Sequence, residues 1–303
     1  MKRRIYRLKP SCLLNMKIVI TGAFGILGTA CQTVCSQLGH EVVPLSHKVL
    51  QTFCSQATGN FISGADLLIH TAANTNVEKC EIDVDNCYRD NYLLTEFIAG
   101  ICSKLKVRMV YISSTGVYGD YQQEPYREYS QACPTTHHHR AKLLGENSVR
   151  LASNLNLVVR TGWLFGGCFD NPKNFVARRI EEAELAAKTG QIIYSNSEQK
   201  GCPTYSVDLA RKIIELISVD SHGIYNLVNQ GHASRLEYVQ AICEIADISI
   251  ELRPANSEYF NRLARVSKNE TAFNWRASSL GLSEMPNWKK SLQKYILETN
   301  IKA

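Results

Sequence analysis

Lys17-Ile18-Val19-Ile20-Thr21-Gly22-Ala23-Phe24-Gly25-Ile26-Leu27-Gly28 is the stretch on which the fold turns. Its first five residues form a short, β-branched run of the kind a buried strand uses. Three glycines in the spacing G-x-x-G-x-x-G follow at once and open a helix expected to end near Gly39. Gly22 permits the tight turn, Gly25 lets backbone N–H groups approach a pyrophosphate, and Gly28 lets the helix pack closely on the sheet. The helix N-terminus then faces the phosphates with its positive dipole end. A ligand-free turn uses the same glycines. At the first strand of an alternating chain, dinucleotide binding by Gly22, Phe24, Gly25, Ile26, Leu27 and Gly28 is the stronger reading.

Outward from this turn, strand and helix alternate. Strands are expected at 41–45, 66–70, 109–113 and 157–160, and helices at about 84–105 and 137–151. The strands are continuous apolar runs rather than alternating ones, the mark of a parallel sheet covered on both faces. The expected class is α/β, a Rossmann-type doubly wound parallel sheet with a smaller C-terminal substrate-binding lobe. Beyond residue 160, Gly/Asn/Pro-rich turns at 166–174 and 195–204 loosen the rhythm, with helices expected at 175–188, 206–218 and 234–246. The chain therefore divides into an NAD(P)-binding domain at 16–160 and a smaller substrate lobe at 161–303, some of whose segments return to the sheet.

The net charge of +6 misleads, because residues 1–15 carry five Lys or Arg and no acid. Without that stretch, expected to be a disordered basic extension, the chain is nearly neutral and has no nucleic-acid footprint. No apolar run is long enough to span a membrane. The eleven cysteines include no CxxC pair, which fits unlinked thiols in a reducing cytoplasm. His137, His138 and His139 point about 100° apart on a helix and cannot share one ion, so no metal site is expected.

An acid at the end of the second strand would hydrogen-bond the ribose 2′-hydroxyl and favour NAD. This chain carries Ser46-His47-Lys48 there. A hydroxyl and cations suit a 2′-phosphate, so NADP(H) is favoured, with NAD(H) as the alternative.

Further segments then converge: His70-Thr71-Ala72-Ala73-Asn74, Asn91-Tyr92-Leu93, Tyr111-Ile112-Ser113-Ser114-Thr115-Gly116, Arg160-Thr161-Gly162-Trp163, Gly201-Cys202-Pro203-Thr204 and Arg253-Pro254-Ala255-Asn256-Ser257. In this order the chain resembles the extended short-chain dehydrogenase/reductases, specifically the dTDP-4-dehydrorhamnose reductase family. The resemblance implies NAD(P)H-dependent reduction of the 4-keto group of a deoxysugar nucleotide. It places Ser114 at the hydroxyl that hydrogen-bonds the substrate carbonyl and Lys142 at the lysine that holds the nicotinamide ribose. Asn91 falls on the supporting asparagine, Ala72, Ala73 and Asn74 on the strand end beside the cofactor, and Trp163 on the tryptophan that packs on the sugar. Ser114-Thr115 stands where Thr-Asp is usual, which leaves Thr115 as a candidate substrate contact. Arg253 is a candidate for substrate phosphate or for pairing near Glu251.

One departure dominates. A short-chain dehydrogenase needs a Tyr four residues before the Lys on one helix face, and here His138 takes that position before Lys142. A nearby ammonium stabilises tyrosinate but repels imidazolium, so a His with a reference pKa of about 6.5 is held neutral. A neutral imidazole N–H can polarise a carbonyl oxygen. Tyr118, Tyr121, Tyr126 and Tyr129 are the nearby phenols that folding could bring in instead. The readings are a reductase with an altered proton donor, a regulatory or interaction protein that binds NADP without reducing anything, and a nucleotide-sugar epimerase or dehydratase. A homodimer or a protein partner is compatible with all three.

Overall fold

The structure, a computed structural model, describes residues 15–299. The basic extension expected at 1–15 lies, apart from Asn15, outside the described residues. Strands β1 (Lys17–Thr21), β2 (Glu41–Leu45), β3 (Leu67–His70), β4 (Arg108–Ser114), β5 (Leu157–Thr161) and β6 (Gly223–Asn226) form one sheet in the order β6-β5-β4-β3-β1-β2. Every pairing in it is parallel, giving the Rossmann-type sheet expected. Strand β6 had no counterpart in the sequence reading; Gly223-Ile224-Tyr225-Asn226 is too short to stand out from its loops.

Strand side chains alternate between two layers. Ile18 and Ile20 of β1 pack into a core with α1 (Ile26–Gln37), where Leu27, Cys31 and Val34 are buried. Val19 joins the opposite core with Leu68, Met109, Tyr111 and Val158. That face also carries α2 (His47–Gln51) and α3 (Ser55–Ile62), two short helices not expected from the sequence. After β3 come α4 (Val77–Ile82) and α5 (Val84–Tyr88), capped by the side chains of Asn76 and Asp83.

The helix expected at 84–105 is not uniform. Between α5 and α6 (Leu94–Leu105), residues Arg89–Leu93 form a π-helical turn, with Asn91 buried inside it. Helix α7 (His137–Ala152) begins at Thr136, whose hydroxyl accepts from His139 N at 3.2 Å. Gly145 lets α7 lie close to β4, since a Cβ there would sit 2.6 Å from the Tyr111 hydroxyl.

Helices α8 (Phe175–Thr189), α9 (Ser206–Ser218), α10 (Arg235–Ala246), α11 (Trp275–Ser279) and α12 (Trp288–Glu298) complete the chain. Helix α9 covers the α1 face of the sheet through Leu209, Ile213 and Leu216. Helices α8, α10 and α12 enclose a separate aromatic core of Phe165, Tyr205, Tyr238, Trp288 and Tyr295. The strand order turns back between β1 and β3, and a crevice opens at their carboxyl ends, where α/β sheets bind ligands.

Candidate active site

One cavity of about 720 Å³ runs from the glycine turn to the C-terminal segments. At the first end, Gly22 has φ +63°, and a Cβ on it would lie 2.6 Å from Ala72 N. A Cβ on Gly28 would lie 2.1 Å from Gly22 O. Backbone is thus stacked on backbone, and only glycine fits at either position. Helix α1 starts at Gly25 without a side-chain cap and without an acid in its first turn. Its leading N–H groups lack intrahelical partners. A glycine cradle ending in uncapped N–H groups fits a dinucleotide pyrophosphate.

Gly22, Gly25, Ile26, Leu27, Gly28, Ala72, Ala73 and Asn74 all line the cavity. Phe24 does not: its side chain is 76% exposed and turned to the outside, so only its backbone belongs to the turn. His47 lines the wall beyond β2. Ser46, the N-cap of α2, and the exposed Lys48 do not. Asn91 is wholly buried and touches the site indirectly. Its side chain accepts from Asn74 N at 3.0 Å and donates to Asn74 O at 3.1 Å, fixing the loop after β3.

In the middle of the cavity, α7 presents His138 and Lys142 one turn apart, opposite Ser114 at the end of β4. Lys142 Nζ donates to Ile112 O at 2.9 Å and lies 4.8 Å from the centre of the Tyr111 ring. Burial pulls its pKa down to about 8, against the opposing pull of Glu146. Ser114 Oγ accepts from Gly116 N at 3.1 Å, which leaves its own hydrogen free to donate. His138 is 6% exposed, and neither ring nitrogen has a hydrogen-bond partner among the described residues. Its pKa is held well below the usual value, first by burial, then by His139 and Lys142. The expected repulsion from Lys142 is present, but it ranks behind desolvation.

None of the four nearby tyrosines enters the cavity. Tyr118 and Tyr126 stack at 4.8 Å in the interior, with the Tyr118 hydroxyl donating to Asn226 at 2.7 Å. Tyr121 and Tyr129 are exposed outside it. Beneath the floor lies an ion pair that sequence reasoning missed. Arg160 donates to both oxygens of Glu146, at 2.9 and 2.7 Å, and Ser113 Oγ donates to Glu146 at 2.5 Å. Lys142-x-x-x-Glu146 was the available signal: two charges on the buried face of one helix need partners.

The far wall is built around Trp163. Its indole N–H donates to Glu270 at 2.8 Å, and the Arg235 guanidinium lies 3.5 Å from the ring centre. Gly201 backs the ring so closely that a Cβ would lie 2.3 Å from Cε2. Arg262 Nε donates to Glu78 at 2.5 Å across the cavity mouth. His139, Gln199, Arg235, Arg262 and Glu270 line the cavity and were not anticipated.

Two candidate substrate contacts lie outside the cavity lining. Thr115 is buried behind Gly162, where a Cβ would meet its Oγ1 at 2.4 Å, and it does not reach the cavity. Arg253 lies in a two-stranded edge paired with 193–196, is exposed, and pairs with Glu251 at 2.5 Å. The C-terminal wall comes from 262–270 rather than 253–257. Among the described residues, no three His, Cys, Asp or Glu side chains converge as metal ligands, and no helix is long and apolar enough to cross a membrane.

A parallel sheet in this order, a G-x-x-G-x-x-G turn, and Ser114 with Lys142 at the sheet's carboxyl edge define an extended short-chain dehydrogenase/reductase, with His138 in place of its tyrosine. Within that class the chain belongs to the family of the RmlD substrate binding domain, whose profile matches residues 16–301. It is 30% identical over 287 residues to the spore coat polysaccharide biosynthesis protein SpsK of Bacillus subtilis, covering 93% of this chain and 97% of that one. It is 28% identical to dTDP-4-dehydrorhamnose reductase of Mycolicibacterium smegmatis, covering 93% of this chain and 85% of that one. The crystal structure of a dTDP-4-dehydrorhamnose reductase from Clostridium acetobutylicum superposes with a TM-score of 0.87 at 28% identity, covering 93% of this chain and 99% of that one. The Bacillus anthracis dTDP-4-dehydrorhamnose reductase, crystallised with NADP, superposes with a TM-score of 0.87 at 27% identity, covering 94% and 100%.

Proposed function

We propose that this protein uses NADPH to reduce the 4-keto group of a dTDP-linked deoxysugar, with His138 in the proton-donor position. The observation that carries the reading is that His138 lines the same cavity as Lys142, Ser114 and the glycine turn. The absence of an acid at the end of β2, together with His47 in the wall, favours the 2′-phosphate of NADP over NAD. The NADP found in the Bacillus anthracis relative agrees with this.

When bound, the reduced nicotinamide supplies a hydride to the carbonyl carbon. Oxygen then gathers negative charge, which the protein must meet with donors already in place. Ser114 Oγ–H and a His138 ring N–H serve as those donors. Burial keeps the imidazole neutral, so His138 polarises the oxygen as an electrophile, and the one proton that completes the alcohol comes from solvent, so each turnover consumes one NADPH and one proton. Lys142 adds a positive charge one helical turn away and binds the nicotinamide ribose. Asn91 keeps the loop at Asn74 in position beside the cofactor.

The test is NADPH consumption with dTDP-4-dehydrorhamnose, wild type beside His138→Tyr. Consumption by the wild type supports the reading. Tight NADPH binding with no consumption by either protein, across a panel of dTDP-4-keto sugars, overturns it in favour of a binding protein.

A further inference from the structure

Glu270 is 8% exposed and sits in the cavity wall. One carboxylate oxygen accepts from the Trp163 indole N–H at 2.8 Å. The other has no hydrogen bond among the described residues, and it is not sealed from solvent, so it opens into the cavity. No Lys, Arg or His among the described residues reaches ion-pair distance. A buried carboxylate has roughly four acceptor positions, and leaving them empty costs free energy unless hydrogen bonds complete them.

What faces that oxygen narrows the partner. Arg235 and Arg262 line the same wall, but Arg262 is held by Glu78 and Arg235 lies over the Trp163 ring. Arg235 and His139 feel the Glu270 charge without bonding to it, and the substrate is anionic through its diphosphate, so the unbonded carboxylate oxygen accepts best from an uncharged donor. Trp163, to which Glu270 is bonded, is the expected neighbour of the sugar. The remaining donors on a deoxysugar ring are its hydroxyls.

We propose that Glu270 is a specificity-determining residue whose open carboxylate oxygen accepts a hydrogen bond from a ring hydroxyl of the sugar. This rests on the reading of the cavity as a nucleotide-sugar site. It assigns selection among deoxysugars to a residue outside the Ser114–His138–Lys142 cluster. A pocket that hydrogen-bonds a substrate hydroxyl rejects the analogue lacking it, because the pocket's own polar group is then left unpaired.

The experiment measures, by calorimetry, binding of dTDP-rhamnose and its 2-deoxy and 3-deoxy analogues to the full chain. Wild type, Glu270→Gln and Glu270→Ala are compared. Gln keeps an amide oxygen for the Trp163 N–H, and tryptophan fluorescence reports whether the indole has moved. The wild type is expected to bind one deoxy analogue roughly 10- to 100-fold more weakly, the range of a hydrogen bond to a charged group. That ratio should narrow in Glu270→Gln and vanish in Glu270→Ala. If the alanine variant does not fold, the glutamine variant decides. Equal wild-type affinity for all three ligands overturns the proposal, as does discrimination that survives substitution. Equal weakening of every ligand reduces Glu270 to a support for Trp163 and also overturns it. If the wild type binds no dTDP-sugar at all, the underlying site reading fails as well; binding without discrimination removes only the role of Glu270.

Discussion

His138 and Lys142 stand one turn apart on α7, yet they differ completely in how they are held. Lys142 Nζ donates to Ile112 O at 2.9 Å, whereas neither His138 nitrogen has a partner among the described residues. The lysine is anchored by a hydrogen bond, and the histidine ring is enclosed without one. A phenol at 138 has a longer reach than an imidazole, and the Lys142 ammonium stabilises its ionised form. His138→Tyr is therefore expected to raise turnover of dTDP-4-dehydrorhamnose. His138→Ala is expected to lower it by about 10²-fold or more, the usual worth of a donor fixed at a developing oxyanion. Initial rates of NADPH oxidation check both, and an alanine variant as fast as wild type would remove His138 from the chemistry.

Lys142 sets the pH dependence. Its pKa is lowered to about 8 by burial, so its charge is present below that pH and disappears above it. If catalysis uses the ammonium, kcat/KM is expected to fall as pH rises through about 8. His138 is neutral throughout, since its pKa lies well below the usual value, so no inflection is expected near 6.5. A kcat/KM profile taken from pH 6 to 9 tests this, and a rate that rises across pH 8 contradicts it.

His70 sets part of the acid limit of stability. Its ring is buried between Thr21 Oγ1 at 2.6 Å and Thr95 Oγ1 at 3.1 Å, and burial lowers its pKa to about 3. Unfolded, it titrates near 6.5, so below that pH the unfolded chain binds a proton that the folded one refuses. The stability it contributes is complete above about pH 6.5 and erodes as pH falls toward 3, by up to about 1.4 kcal/mol per pH unit. His138 and His139 shift in the same direction. Urea midpoints are expected to fall between pH 7 and 5, and unchanged midpoints over that range would contradict the linkage.

Glu146→Gln is expected to destabilise the fold by about 3–5 kcal/mol, because Arg160 would then be buried without its counter-charge. Both members are nearly inaccessible, at 1% and 5% side-chain exposure. Replacing both together, as Glu146→Leu with Arg160→Met, is expected to recover much of the loss. Chemical denaturation of the single and double variants measures it.

Gly28→Ala is expected to abolish NADPH binding. Its new Cβ would lie 2.1 Å from Gly22 O, so the turn must open to admit it. A fluorescence titration with NADPH, beside circular dichroism to show the fold is retained, tests this.

The sheet and the glycine turn were legible because periodicity and glycine spacing are local. Lys17–Thr21 and Gly22–Gly28 carry their meaning within a dozen residues. The His138–Lys142 spacing was legible for the same reason. Glu270, Arg235 and Arg262 were not, because they reach Trp163 or Glu78 only through tertiary folding; Trp163 and Glu270 are 107 residues apart. Arg253 was left open between substrate phosphate and Glu251 by a locally suggestive segment; its strand pairs at an edge away from the cavity, where Arg253 bonds Glu251. Helices α2 and α3 escaped notice because each is too short to show a periodic face.

The π-turn at Arg89–Leu93 makes chain length part of the site. Such a turn holds one more residue than an α-turn. Deleting any one of the five would let the segment close as continuous α-helix. Everything on its N-terminal side would then swing by about 100° around the axis of α6. Asn91 would lose its grip on Asn74, and the loop after β3 would be set adrift. The outer surface of this stretch can drift in composition over evolutionary time; its residue count cannot.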